Sequence, residues 1–437
     1  MRFPLRRAER AVAAAIVVQL AVAVPTVLSR ASDASTPSKT GATNASPARD
    51  ADRTAAVEAL LKRRADAVLH RNKAAFLADI DPTQNRFLLK QAALFEHLRS
   101  VRFAGWSYEV DPTSEQEHTP AIDAARGTWW APDVELHYSL AGFDTTPTEE
   151  DQGFTFTQRD GRWYLAADAD FLKTGRPTQR DLWDTGDVQV TKGTSCLALA
   201  HPGGASMAAL ALHECDASVP RVTAVWGTGW SRKVVIVVPD TPQELQTLVP
   251  DIGNVSNIAA VATAELVDQQ HGYHPVGDRV VVNPDNFRDL GPLGRRVVLT
   301  HEVTHVASRA ATGPEIPTWF VEGIADYVGF LHTDIPLSLS ALELRKAIKA
   351  GHVPTALPTD DVFKGGRADL ASSYEQSWMA VKLIVKKYGQ ARMLKLYRDI
   401  GQGTGAGSID VAFANDLHTS VEAFTQAWIA DLKRQLS

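Results

Sequence analysis

The sequence predicts an α+β protein of two folded blocks behind an N-terminal membrane-directed segment. Three observations predict it. A helical run is followed by alternating strands between residues 53 and 184. A second block, from 188 to 437, mixes β-branched strands with long helical stretches. Ahead of both lies an apolar stretch flanked by arginines.

Arg2, Arg6, Arg7 and Arg10 precede "AVAAAIVVQLAVAVPTVL", residues 11–28. As a helix that run is about 27 Å long, close to the hydrocarbon core of a bilayer. The arginines on its N-terminal side place the remaining chain outside the cytoplasm. Residues 1–30 are therefore expected to be a membrane anchor or, alternatively, a cleaved signal peptide. Residues 31–52 are rich in Ser, Thr, Ala and Pro, and read as a flexible linker. Export bears on Cys196 and Cys215, the only cysteines. An oxidising compartment favours joining them, against the alternative of two buried thiols.

The first block, 53–184, opens with Val57, Leu60, Leu61, Ala65, Val68 and Leu69 at helical spacing, ended or kinked at Asp81-Pro82. Phe87, Leu88, Leu94, Phe95 and Leu98 mark a second helix. "RFAGWSYEV" and "VELHYSLAGF" alternate as strands. "GFTFTQRDGRWYLAAD" reads as a hairpin with Asp160-Gly161 at its turn. The layout resembles the cystatin-like and nuclear-transport-factor-like domains, a long helix on a curved antiparallel sheet. Trp129-Trp130 and Trp163-Tyr164 are expected in the core, with the lining of a ligand pocket as the other reading.

In the second block, 188–437, "VQVTKG", "SCLALA", "RKVVIVVP" and "DRVVVNP" read as strands. "ASMAALALHECDASVPRVTAVWG" reads as a helix broken at Pro220. "TPQELQTLV" reads as a helix with Thr241 as cap and Pro242 at its first position. From Leu337 onward the chain is mostly helical.

The chemistry lies in "RRVVLTHEVTHVASRAATGPEIPTWFVEGIADYVGF", residues 295–330. A helix over 294–311 puts His301 and His305 one turn apart on one face, a spacing that binds one zinc. Glu302 sits one step round from His301, within reach of a water on that zinc. A second helix, beginning at Pro317, carries Glu322 and Asp326 four apart. A carboxylate there can supply a third ligand, and Asp326 can accept the free N–H of a ligating histidine.

"HEVTH" followed by "WFVEGIAD" resembles the gluzincin metallopeptidases, closest to the bacterial peptidase-MA-like group, over roughly residues 190–435. The resemblance to their thermolysin-like and aminopeptidase-like catalytic domain implies Zn2+ held by His301, His305 and Glu322. It also implies Glu302 as general base and Asp326 behind His301. "SSYEQSWMAVKLIVKKYG", residues 372–389, resembles the Y-E-K-G helix of the zinc aminopeptidases, whose tyrosine steadies the tetrahedral intermediate. Tyr374 occupies that place, unless it is simply a core aromatic. The sequence departs from these relatives in two places. "DRVVVNP" lacks the glutamate with which aminopeptidases hold a substrate amino terminus, and Val321 stands where thermolysin-like enzymes often carry Asn.

Composition is that of an ordinary globular protein. Hydrophobic residues are 44% and charged residues 22% of 437, enough for sizeable cores. A net charge of −6 with no Lys/Arg stripe excludes nucleic acid as partner. The expected function is an extracytoplasmic zinc metallopeptidase that hydrolyses peptide bonds with zinc-activated water. Its partners are a peptide or protein substrate and the membrane. The alternative is a non-catalytic zinc-bearing scaffold or ligand-binding cell-envelope protein.

Overall fold

The computed structural model describes residue 47 onward, except 117–121, 123–125, 173–175, 253–254, 270–271, 314, 364–368 and 403–408. The apolar segment and most of the linker lie outside the described residues. Among the described residues, no helix is long and apolar enough to cross a membrane. The described chain divides into two compact units, one up to Val190 together with Ala264–Gly277, the other Thr191–Thr263 together with Asp278–Ser437.

The first unit begins with α1 (Pro47–Leu69), α2 (Lys73–Leu77) and α3 (Asn85–His97). The first helix ends at Leu69, well before Asp81-Pro82. Arg71 turns to a φ of 57°, and the Asn72 side chain caps α2 by accepting from the Ala75 N–H at 3.1 Å. The strands are β1 (Phe103–Asp111), β2 (Trp129–Trp130), β3 (Asp133–Leu140), β4 (Thr148–Asp151), β5 (Thr155–Arg159) and β6 (Arg162–Ala167). Buried and half-buried residues alternate along β3, as the sequence pattern implies. Asp160 and Gly161 sit at φ 50° and 78°, the backbone a tight β5–β6 hairpin requires.

The layout differs from one continuous curved sheet. Strand orders are β1-β3-β4 and β2-β5-β6, two three-stranded sheets. Pro132, between β2 and β3, has no N–H to continue a ladder. Gly153, between β4 and β5, lies where a Cβ would stand 2.6 Å from the Arg176 carbonyl oxygen. At both places the chain passes from one sheet to the other. Trp130 is fully buried beneath the Arg53 guanidinium, in the core with Phe156 and Leu165, and Trp163 packs against that core.

The elements that follow are β7 (Gln189–Lys192), β8 (Cys196–Ala200), α4 (Ala205–Trp226), β9 (Val234–Val238), α5 (Pro242–Leu248), β10 (Ala260–Gln269) and β11 (Gly272–Val282), all in the second unit except residues 189–190 and 264–277, which belong to the first. Their sheet runs β10-β11-β9-β8-β7, with β8, β9 and β11 parallel. Every residue of β8 and β9 is buried, as parallel strands covered on both faces require. Cys196 on β8 and Cys215 on α4 are joined in a disulfide, with Cα atoms 6.2 Å apart.

Two sequence readings are corrected here. The helix continues through Pro220 to Trp226, because Val219, Val222 and Val225 are buried on one side and packing offsets the lost hydrogen bond. Ala260–Gln269, unassigned in the sequence, is the edge strand β10. "DRVVVNP" belongs to the inner strand β11 beside it.

The helices that follow are α6 (Pro284–Asp289), α7 (Pro292–Ser308), α8 (Thr318–Phe330), α9 (Leu337–Ser340), α10 (Leu342–Lys349), α11 (Leu370–Tyr388), α12 (Gln390–Gly401), α13 (Ile409–Ala412) and α14 (Val421–Leu436). Helix α8 lies close to both α7 and α11. A Cβ on Gly323 would stand 2.6 Å from the Ser377 carbonyl oxygen, and one on Gly329 would stand 3.0 Å from that of Val297. Only glycine permits both approaches. The Glu375 carboxylate of α11 accepts from the N–H groups of Glu343 and Leu344, at 3.1 and 2.5 Å, where α10 begins. Burial pushes that carboxyl up to about 7.

Candidate metal centre

Helix α7 begins at Pro292 and is buried continuously from Val297 to Ser308, so the apolar sequence face is only part of what is covered. Its hydroxyl contact with α4, Ser218 to Thr300 at 2.9 Å, fixes the turn just before His301. Pro317 is the cap of α8 rather than its first residue, which leaves Glu322 and Asp326 on the face turned to α7.

The two helices bring three donor atoms together. His301 Nε2 and His305 Nε2 are 2.9 Å apart. Glu322 Oε2 is 3.3 Å from the first and 3.5 Å from the second. A tetrahedral zinc with ligands at about 2.0–2.2 Å separates its donor atoms by about 3.3 Å. The triangle therefore has the dimensions of three corners of such a site. His301, His305 and Glu322 are 0%, 5% and 1% exposed, and among the described residues they form the one group of metal-ligand type.

The surroundings suit a cation. Glu302, Glu322 and Asp326 are three buried carboxyl groups beside two imidazoles. Both Glu322 oxygens and Glu302 Oε1 are buried without a hydrogen-bond partner. Bare buried carboxylate oxygens are costly, and a divalent ion relieves them. Hard carboxylate oxygen with two imidazole nitrogens is a donor set that suits zinc.

The protonation of the group without metal reports the same crowding. Burial works against a charge on His301, but the Asp326 carboxylate, with Glu322 and Glu302 near it, raises that imidazole to about 10. Burial pushes Glu302 up to about 8 and raises Asp326 as well. Burial also acts to raise Glu322, yet the two histidines hold it below the usual carboxylate range. His305 is lowered by burial.

Asp326 Oδ1 stands 2.8 Å from His301 Nδ1. That contact keeps the proton on Nδ1 and the lone pair on Nε2, facing the triangle. Glu302 is held by a group that carries no mark in the sequence: the Ala262 N–H of β10 donates to its Oε2 at 2.8 Å. Tyr374 is 5% exposed on α11, edge-on to Phe363 with ring centroids 5.4 Å apart. It lies one turn before Ser377, the residue that meets Gly323 of α8. A further support closes the α7–α8 connection. The fully buried Tyr397 hydroxyl pairs with that of Thr312 at 2.7 Å, and burial pushes it up to about 12.

No protein-family model and no curated protein matches the chain. Among solved structures it is similar to an M1 zinc metallopeptidase from Deinococcus radiodurans, at 13% identity, covering 63% of this chain and 59% of that one, with a TM-score of 0.31. A mutant of an M1 zinc metallopeptidase from the same organism, bound to a Tyr-Ser-Ala substrate, is similar at 14% identity, 64% and 60% coverage, and a TM-score of 0.30. A two-domain M1 zinc metallopeptidase mutant bound to L-arginine is similar at 13% identity, 63% and 59% coverage, and a TM-score of 0.32. The chain thus covers less than two thirds of the length of these structures.

Proposed function

We propose that the chain is an extracytoplasmic zinc metallopeptidase that hydrolyses peptide bonds in a peptide or protein substrate. The observation that carries this reading is the buried triangle of His301 Nε2, His305 Nε2 and Glu322 Oε2, with sides of 2.9, 3.3 and 3.5 Å. These three residues hold the metal. Zinc, when bound, supplies a Lewis acid for the scissile carbonyl and brings the pKa of water toward neutrality.

The chain's own groups do the rest. Asp326 orients the His301 ring through its Nδ1–H. Glu302 is anchored at Oε2 by the Ala262 N–H, which leaves Oε1 as the proton acceptor. It takes a proton from the attacking water and returns it to the leaving amine. Tyr374 donates its hydroxyl proton toward the oxyanion. The N-terminal arginines and apolar run direct the protein to the membrane, with the rest of the chain outside. The joined cysteines support an oxidising compartment for the bulk of the chain.

The test is metal content and cleavage together. Purified full-length protein should hold about one zinc per chain and cut an unstructured protein such as casein, losing the activity to a chelator and regaining it with zinc. His305→Ala should lose both zinc and cleavage. Stoichiometric zinc without cleavage of any peptide would make the protein a scaffold, and full zinc in His305→Ala would displace the site.

A further inference from the structure

Besides the hydrogen bond from Ala262 to Glu302, a second contact joins α7 to the sheet. Arg309 directly follows the helix and keeps helical dihedrals, φ −52° and ψ −46°, with its backbone N–H donating to the His305 carbonyl. It therefore stands about two turns beyond Glu302 on the same side of the helix. Its Nε–H donates to Asp278 Oδ1 of β11 at 2.8 Å, and the residue is 8% exposed.

The two contacts reach neighbouring strands. Ala262 lies on the edge strand β10 and Asp278 on β11 inside it. Ala260 and Ala262, with Val280 and Val282 of β11, share one core with Val298, Val303 and Val306 of α7. Side chains two apart on a strand point the same way, so Asp278 takes the next place in the row of Val282 and Val280. The row turns from apolar to charged where it meets Arg309. An apolar pair would hold the layers together at least as well, because a largely buried ion pair gains little net stability over one. The contact even leaves Arg309 Nη2 buried without a hydrogen-bond partner, a cost that packing does not explain. What it supplies is direction, since a hydrogen bond fixes one strand position against one helix position.

Glu302 needs such a fixed position. The Ala262 N–H holds its Oε2 at one point, and a single point lets helix and strand pivot about it. Strand β10 is supported by β11 on one side only, whereas β11 is an inner strand, in register with β9 from Arg279 to Val281. A second contact two turns along, made to that inner strand, removes the pivot. We propose that Arg309 is a positioning residue, which through Asp278 sets β11, and β10 beside it, against α7 so that the Ala262 N–H stays on Glu302. Its Oε1 is then kept at one place to accept the proton. The catalytic consequence rests on the peptidase reading above, whereas the tether itself does not.

The experiment compares purified full-length protein with Arg309→Met, Asp278→Asn, the double variant carrying both, and Arg309→Lys, which keeps the charge. Hydrogen exchange by mass spectrometry is read on peptides spanning 259–263, which contain the anchoring N–H, and on peptides spanning 234–238 in β9. Exchange over 259–263 should quicken about 10–100-fold in each single variant, while 234–238 stays within about 2-fold of the parent. The double variant should exchange no faster than the worse single one, as two halves of one contact require, and Arg309→Lys should recover most of the protection. With cleavage of casein as the second readout, kcat should fall in Arg309→Met and Asp278→Asn with KM and zinc content held. A parent that cleaves nothing refutes the peptidase reading and leaves the exchange result to decide the tether. Equal acceleration of both segments makes Arg309 a merely structural residue and overturns the proposal. Parental exchange over 259–263 in both folded single variants overturns it too, as does selective loss of protection with a parental kcat.

Discussion

Replacing Asp326 by Asn isolates the contact that aims His301 at the metal. The Asp326 Oδ1 to His301 Nδ1 distance is 2.8 Å, and the two residues are 3% and 0% exposed, so solvent screens little of the interaction. A hydrogen bond to a charged group contributes about 1.5–3 kcal/mol, and a neutral one about 0.5–1.5. Asparagine keeps the shape and one acceptor but not the charge. The difference, about 1–1.5 kcal/mol, weakens zinc binding about 5–13-fold. An amide turned with its NH₂ toward the ring frees the imidazole and carries the loss toward 100-fold, the upper range for such outer partners. The assay is zinc affinity by competition with a chromophoric chelator at fixed pH, on folded parent and variant. Asp326→Ala, which removes the acceptor altogether, should lose at least as much. Parental affinity in both variants would show that His301 needs no partner and would refute the reasoning.

Four further outcomes follow from the geometry. Glu302→Gln can still accept from the Ala262 N–H, so zinc should stay while turnover falls about 10²–10⁴-fold; steady-state kinetics with elemental analysis checks this, and unchanged turnover removes Glu302 from the mechanism. Tyr374→Phe barely alters the packing against Phe363, so a role at the oxyanion should appear as a 10²–10³-fold (order of magnitude) loss in kcat with zinc retained, whereas a core role leaves kcat within a few-fold. Reducing Cys196–Cys215, which closes a separation of 19 residues, should lower stability by about 3 kcal/mol, read by urea melts with and without reductant; coincident melts would reject it. Glu375, raised from 4.5 to about 7 by burial, keeps a proton in the folded state that the unfolded chain has released. Stability should therefore fall as pH rises through that window, by up to about 3 kcal/mol. Glu375→Gln removes the dependence, so paired melts should show the parent losing ground to the variant between about pH 5 and pH 8, and a flat or growing parent advantage contradicts it.

The cluster of His301, His305 and Glu322 was legible because helical periodicity fixes relative position within a few residues. His301 with His305, and Glu322 with Asp326, are each one turn apart, and only the meeting of the two helices had to be inferred. The glycines that permit the meeting, Gly323 and Gly329, say nothing in sequence about which backbone comes close. The disulfide was inferred from compartment, and its geometry had no counterpart in the spacing. Pro220 misled because propensity weighs a local clash and cannot see the valines packed around it. The partner of Glu302 was not legible at all. A backbone N–H is common to every residue but proline, and β10, built from "AVATAELVDQ", offers little β-branched signal. The aromatic pairs that stood out, Trp129-Trp130 and Trp163-Tyr164, belong to the core or its margin.

Because Glu302 takes its anchor from the main chain of an edge strand, the proton transfer proposed for it would be keyed to strand register. Along a β-strand, successive N–H groups point in opposite directions. A one-residue slip of β10 against β11 would turn the Ala262 N–H away and leave Oε2 as bare as Oε1. A two-residue slip would offer the carboxylate another N–H of the same parity. On the proposed function, single-residue deletions in β10 should therefore abolish peptide cleavage while sparing zinc, and paired deletions should be better tolerated. Around the anchor the side chains are no freer than the register, since Ala260, Val261 and Ala262 are all buried.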